Sequence, residues 1–154
     1  MFGDLRDLYQ EVILDHGRKP RNFHRLDDAD LTSRGDNPMC GDRMELFLKT
    51  APDGHIDDAA FQGRGCAISM ASASLMTETV KGKTPAQAKQ MGDAFRTLAM
   101  TGTCPDCGGD IADDMERLAP LSGVHEFPSR VKCATLAWHT LNAALDGAKE
   151  ASSE

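Results

Sequence analysis

Apolar residues recur along this chain at two spacings. Near the start, Leu5, Leu8, Tyr9, Val12 and Ile13 fall three or four positions apart, the repeat of one helix face, and Asp4 can cap that helix. His16 and Gly17 close it, and Lys19-Pro20 forbids its continuation. Arg21 to Asp36 is polar without a period and reads as a long ordered loop over the surface. The spacing then changes to two. Met44, Leu46 and Leu48 alternate with Glu45, Phe47 and Lys49, as in a strand with one face inward. Pro52-Asp53-Gly54 is a turn, and Ile56 to Gln62 reads as the second strand of an antiparallel hairpin. Arg34 to Pro38 is a candidate for a short third strand.

Helical spacing returns from about Cys66 to Lys81 and stops at Gly82. Thr84-Pro85-Ala86-Gln87 is a start signal: Thr caps, Pro takes the first helical position and Gln87 completes the box. Ala88, Met91, Ala94, Phe95 and Leu98 line one face of that third helix. Thr101 to Gly109 is a loop holding Cys104 and Cys107. A short helix from about Asp110 to Ala119 ends at Pro120, and another loop leads to Pro128. A last helix covers Ser129 to about Ala148, with Ala134, Ala137, Trp138, Leu141, Ala144 and Leu145 as its apolar face. This organisation predicts one domain over residues 1–149 and a frayed tail over 150–154. No internal repeat, low-complexity block or linker interrupts it.

Composition narrows the function classes. An apolar content of 40% with mixed charge fits a globular fold. The net charge of -7 argues against nucleic acid or an anionic membrane as partner, and leaves a basic docking patch on a protein partner compatible. No run of about 18 apolar residues predicts a membrane span. MFGDLRDLYQ carries acids early and lacks an apolar core of signal length, so no export signal is expected and a cytoplasmic location is. Five cysteines, an odd count, then read as thiols, metal ligands or redox groups rather than a disulfide framework.

The chemistry gathers around Phe61 to Glu78, FQGRGCAISMASASLMTE. Gly63 and Gly65 deliver Cys66 to a helix N-terminus, where unpaired N–H groups and the helix dipole favour a thiolate. The glycines also allow other groups close to that sulfur. Cys40-Gly-Asp42 sets a thiolate and a carboxylate two positions apart on a turn, and Cys133 lies in the first turns of the last helix. Three thiolates and a carboxylate make four ligands suited to tetrahedral zinc, and soft sulfur also suits iron–sulfur species. In such a set the Asp42 bond is expected to be the easiest to replace. Spacing alone leaves open the alternative that Cys66 and Cys133 are buried packing thiols.

NPMCGD, FQGRGCAISMASASLMTE and SRVKCATLAWHTL resemble the three cysteine motifs of the U-type iron–sulfur cluster assembly proteins, and LYQEVILDHGRKPRNF resembles their N-terminal segment. The similarity covers nearly the whole chain in the right order. The IscU branch of that family has a histidine just before its third cysteine, where this chain has Lys132. With the long segment between Cys66 and Cys133, this resembles the SufU branch. The resemblance implies an α+β fold: a small antiparallel three-stranded sheet with about five helices packed against it. It implies zinc at Cys40, Asp42, Cys66 and Cys133, and a cysteine desulfurase (SufS-like) as partner. A downstream Suf scaffold or apo-protein acceptor would receive the sulfur. It also implies a mechanism in which a histidine of the partner takes a metal position and releases Cys40, which attacks the outer sulfur of the desulfurase persulfide. Asp42 would tune the site, and Arg130, a helical turn before Cys133, would stabilise anionic sulfur or contact the partner, unless it is simply a solvated arginine. The other outcomes are a scaffold carrying a transient [2Fe–2S] cluster and a zinc-stabilised interaction domain without chemistry.

The remaining features have plainer readings. Cys104-Pro-Asp-Cys107 is a loop decoration, a disulfide, or half of a second zinc site with His125 as a third ligand. His16 suits a helix C-terminus, and His139 is expected at a helix surface. Ser69, Ser72 and Ser74 have no paired histidine or aspartate pattern, so close helix packing explains them.

Overall fold

The computed structural model describes residues 2–38, 41–104 and 108–152. The chain opens with helix α1 (Phe2–Arg18), followed by strands β1 (Leu31–Asn37), β2 (Asp42–Thr50) and β3 (Ile56–Arg64). Helices α2 (Ala67–Val80), α3 (Pro85–Thr101), α4 (Ala112–Leu118) and α5 (Pro128–Leu145) come next, and strand β4 (Glu150–Ser152) ends the described chain. Short 3₁₀ segments, Gly109–Ile111 and Ala119–Glu126, flank α4. The fold is α+β, five helices on one sheet, as expected.

The sheet differs from expectation in size and sense. Among the described residues it has four strands in the order β3-β2-β1-β4, mixed rather than wholly antiparallel. β1 is longer than the Arg34–Pro38 candidate, beginning at Leu31 inside the stretch read as loop. β4 pairs parallel with β1 through Arg34↔Glu150 and Asp36↔Ser152. Residues 150–152, expected as frayed tail, thus cover the backbone groups that β1 would otherwise leave open at an edge. Nothing in the polarity of Glu150 to Ser152 announces a strand, because the pairing comes from the return of the chain after α5.

The period-two pattern of β2 sets what lies inside. Met44, Leu46 and Leu48 face the helices, joined across the register by Phe61 (opposite Leu46) and Ala59 (opposite Leu48), all buried. Phe47, grouped by alternation with the outward residues, is also buried, at 1% exposure. The 21–30 segment folds back over that face and sets the Arg25 guanidinium 5.3 Å from the Phe47 ring.

α3 follows its local signals closely. Thr84 and Gln87 form the reciprocal capping box, Pro85 takes the first helical position, and Gly102 ends the helix with φ of 80°. Its buried face is Ala88, Met91, Ala94, Phe95, Leu98 and Ala99. Phe95 stacks on Trp138 of α5, with ring centroids 5.4 Å apart. α2 is buried nearly all round, and its small residues let its neighbours close in. Ser72 Oγ donates to the Ala134 carbonyl of α5 at 2.5 Å, and Ser74 Oγ meets His16 of α1 at 2.7 Å. Ser72 and Ser74 serve helix packing, as expected, whereas Ser69 Oγ donates to the Cys66 carbonyl at the start of its own helix. His16 lies in the last turn of α1, as expected, and is buried in that contact. Of the expected α1 stripe, Leu5 and Leu8 have side chains outside the described residues, while Ile13 packs on the core.

Candidate metal centre

The β2 alternation that turns Met44, Leu46 and Leu48 inward also turns in the first residue of the strand. Asp42 is 1% exposed, a carboxylate at the end of an apolar row. In β1, Ser33 and Asn37 are the buried polar residues of the matching row, and Asn37 stands opposite Asp42 in the register. A buried carboxylate is costly unless its oxygens are satisfied. Here Oδ1 accepts the Cys66 N–H at 3.0 Å and Oδ2 accepts the Asn37 side-chain N–H at 3.3 Å.

Cys66 follows β3 through Gly65 and is the N-cap of α2; its Sγ accepts the Ser69 N–H at 3.5 Å. The predicted helix-start thiol is therefore present. Gly65 has a steric reason: a Cβ there would stand 2.6 Å from Asp42 Oδ1 and closer still to Ser69 Oγ. Gly63 is needed for a related reason, since a Cβ there would press on the backbone of Arg43 and Met44 across the ladder. Cys133 comes from α5, on the face that also carries Leu136 and Thr140 over β1. It is buried, and its Sγ lies 3.8 Å from Asn37 Nδ2.

One donor atom each from Asp42, Cys66 and Cys133 thus lies within 4.8 Å of the other two. Cys40, the fourth predicted ligand, lies outside the described residues. Two soft sulfurs and one carboxylate oxygen form a donor set of the kind zinc takes, and a further sulfur would complete four-coordination. Arg130 is exposed on the first turn of α5. A hydrogen bond to Cys133, then the charge of Cys66 and Cys133, hold its guanidinium above the ordinary arginine pKa. The cation thus lies near the two sulfurs while remaining exposed to solvent. The expectation that Asp42 is the readily replaced ligand fits poorly with its burial and its two anchored oxygens. Asn37 falls within the Arg34–Pro38 strand candidate, but its place in the buried row opposite Asp42 was the missed signal.

Elsewhere, Cys104 is disulfide-bonded and packs partly buried against the core, and Cys107 lies outside the described residues. His125 Nδ1 bonds the Ser122 carbonyl at 2.8 Å. His139 is half-buried, and burial, then the charge of Arg96, push its pKa below the usual histidine range. No helix among the described residues is long and apolar enough to cross a membrane.

Comparison with known proteins agrees with this architecture. The chain is similar to the zinc-dependent sulfurtransferase SufU of Bacillus subtilis, 44% identical over 138 residues that cover 90% of this chain and 89% of that one. It is also similar to the iron–sulfur cluster assembly scaffold protein IscU of Streptococcus pyogenes, 37% identical and covering 92% and 84% of the two chains. Among solved structures, a candidate iron–sulfur cluster assembly scaffold protein for the SUF system from Fervidobacterium islandicum superposes with a TM-score of 0.79 at 31% identity, over 91% of this chain and 98% of that one. The NifU-like N-terminal domain family matches residues 8–150, and the chain belongs to that family.

Proposed function

We propose that this protein is a zinc-dependent sulfur acceptor of iron–sulfur cluster assembly, taking persulfide sulfur from a cysteine desulfurase onto Cys40. The observation that carries this reading is the convergence of Asp42, Cys66 and Cys133 donor atoms within 4.8 Å, beside the Arg130 guanidinium. The 44% identity to a zinc-dependent sulfurtransferase supports the choice of metal and chemistry. Cys40, Asp42, Cys66 and Cys133 would hold the ion. Bound zinc keeps coordinated thiols deprotonated at neutral pH.

The chain's own groups do the rest. The Cys40 thiolate attacks the outer sulfur of the partner's persulfide. A new S–S bond forms at Cys40, the partner's S–S bond breaks, and its cysteine leaves as thiolate. No electrons are gained or lost overall, because one disulfide-type bond replaces another. Arg130 lies where its charge offsets the anionic sulfur that this step moves. Asp42, held at both oxygens, fixes the geometry of the centre. The sulfur then passes to a Suf scaffold or an apo-protein acceptor.

The stimulation of a cysteine desulfurase, with cysteine and a reductant, tests the reading. Cys40→Ala is expected to abolish the rate gain, and zinc removal to abolish it reversibly. An undiminished gain in Cys40→Ala, or full activity without zinc, would remove that residue or that metal from the mechanism. Arg130→Ala should lower the gain about tenfold, the size of one charge-assisted contact, with zinc content unchanged. The second reading, a scaffold for a [2Fe–2S] cluster, is favoured by the 37% identity to an IscU scaffold. Lys132 beside Cys133 weighs against it, since a protonated amine is a poor metal ligand. Labile iron and sulfide transferable to an apo-protein would support the scaffold, and zinc without desulfurase stimulation would leave an interaction domain.

A further inference from the structure

We propose that Asn37 is a positioning residue of the metal centre, whose side-chain amide orients Asp42 and tunes the Cys133 sulfur. The inference rests on Asp42 and Cys133 being metal ligands. Asn37 is 0% exposed. Its Nδ2 faces two groups at once, Asp42 Oδ2 at 3.3 Å and Cys133 Sγ at 3.8 Å. An amide nitrogen has two hydrogens, one for each. The reverse orientation would turn the amide oxygen toward a carboxylate and a sulfur, so electrostatics select this one.

The other end of the amide shows that the arrangement is not there for stability alone. Asn37 Oδ1 is buried and finds no hydrogen-bond partner among the described residues. A buried carbonyl left unpaired costs about 1–3 kcal/mol. An apolar side chain of similar volume would avoid that cost. The amide is explained by what its nitrogen does. It ties together β1 (Asn37), β2 (Asp42) and α5 (Cys133), while Asp42 Oδ1 ties in the start of α2 through the Cys66 N–H. Groups that hydrogen-bond metal ligands in this way fix their orientation and set their donor strength. An N–H···S bond withdraws electron density from the sulfur and makes it a weaker donor to the ion.

Asn37→Leu keeps the volume and loses both donors, and Asn37→Ala loses the side chain. Zinc affinity, measured by competition with a chromophoric chelator, is expected to fall about 10–100-fold in both. In the chelator-treated form, Asn37→Leu loses the unpaired carbonyl but also the donor to buried Asp42 Oδ2, so its unfolding temperature is expected to fall below that of wild type and does not decide the inference. With cobalt in place of zinc, the sulfur-to-metal charge-transfer band of Asn37→Leu should move to lower energy, which a packing role would not cause. A zinc affinity for Asn37→Leu within threefold of wild type, with an unmoved band, overturns the inference. Should neither variant fold, the Asn37 side-chain amide signals of wild-type protein decide: they shift on zinc addition if the inference holds, and stay in place if it fails. A wild-type chain that takes up no zinc overturns the metal-centre reading itself, and this inference with it.

Discussion

Two buried polar clusters meet helix α2, and they are satisfied in different ways. Where α1 crosses it, Ser74 Oγ accepts the Arg21 N–H at 2.8 Å and meets His16 Nδ1 at 2.7 Å. Thr77 Oγ1 donates to the Ser74 carbonyl and accepts from Asn22 Nδ2, and Asn22 Oδ1 accepts from Lys81. Each of these groups finds its partner within the protein. At the other end of α2, donors and acceptors do not balance. A carboxylate and two sulfurs converge, one amide serves two of them, and its oxygen is left without a partner among the described residues. A closed network holds helices together; an excess of electron-pair donors at one point is an arrangement a cation can use. The contrast supports the proposed binding centre at the start of α2 without any reference to likeness.

The comparison breaks first at the ligands. Cys66→Ala and Asp42→Ala should each lower zinc affinity at least about 100-fold by chelator competition, since each removes a donor from the proposed set of four. A smaller loss than in Ser74→Ala would erase the distinction between the clusters. Gly65→Ala comes next. Its Cβ would displace Asp42 or Ser69, so we expect zinc affinity to fall about tenfold and stability by about 1–3 kcal/mol in urea unfolding. On the other side, Ser74→Ala strands the Arg21 N–H and the His16 ring. It should cost about 1–3 kcal/mol of stability and leave zinc affinity unchanged.

The smallest effect is one of pH. Burial, then the Arg21 charge, lower the His16 pKa, although Glu78 and Asp15 pull it the other way and Arg117 adds to the lowering. The folded protein therefore binds this proton less readily than the unfolded chain. The stability held by neutral His16 is fully present above the ordinary histidine range, near 6.5, and is lost as pH falls below it toward the lowered folded value. His139 titrates in the same sense. In the presence of a chelator, which removes the metal's own pH dependence, urea midpoints should fall from pH 7.5 to pH 5 in wild-type protein and fall less steeply in His16→Gln. Equal slopes would assign the acid sensitivity elsewhere.

Zinc loading offers a further sharpening. A metal that binds only the folded state raises the unfolding temperature by mass action. That rise should survive Ser74→Ala in full and vanish in Cys66→Ala.

Much of the molecule was legible along the chain because its causes are local. The α3 capping box, the Gly102 stop and the buried faces of α3 and α5 depend on neighbours within a turn or two. The β2 alternation placed Met44, Leu46 and Leu48 inside for the same reason, and the Gly65-Cys66 junction marked a helix-start thiol. The features that escaped depend on partners distant in sequence. β4 exists because the chain after α5 returns alongside β1, and Phe47 is buried because the 21–30 segment folds over it. Asn37 acquires its neighbours only when α5 lies across β1 and brings Cys133 above it. By spacing alone the cysteines could have been ligands or packing groups, and no periodicity could choose between them. Residue types and local order name the groups able to bind a metal; whether they meet is set by how helices and sheet pack, which is the summed result of contacts spread over the whole chain.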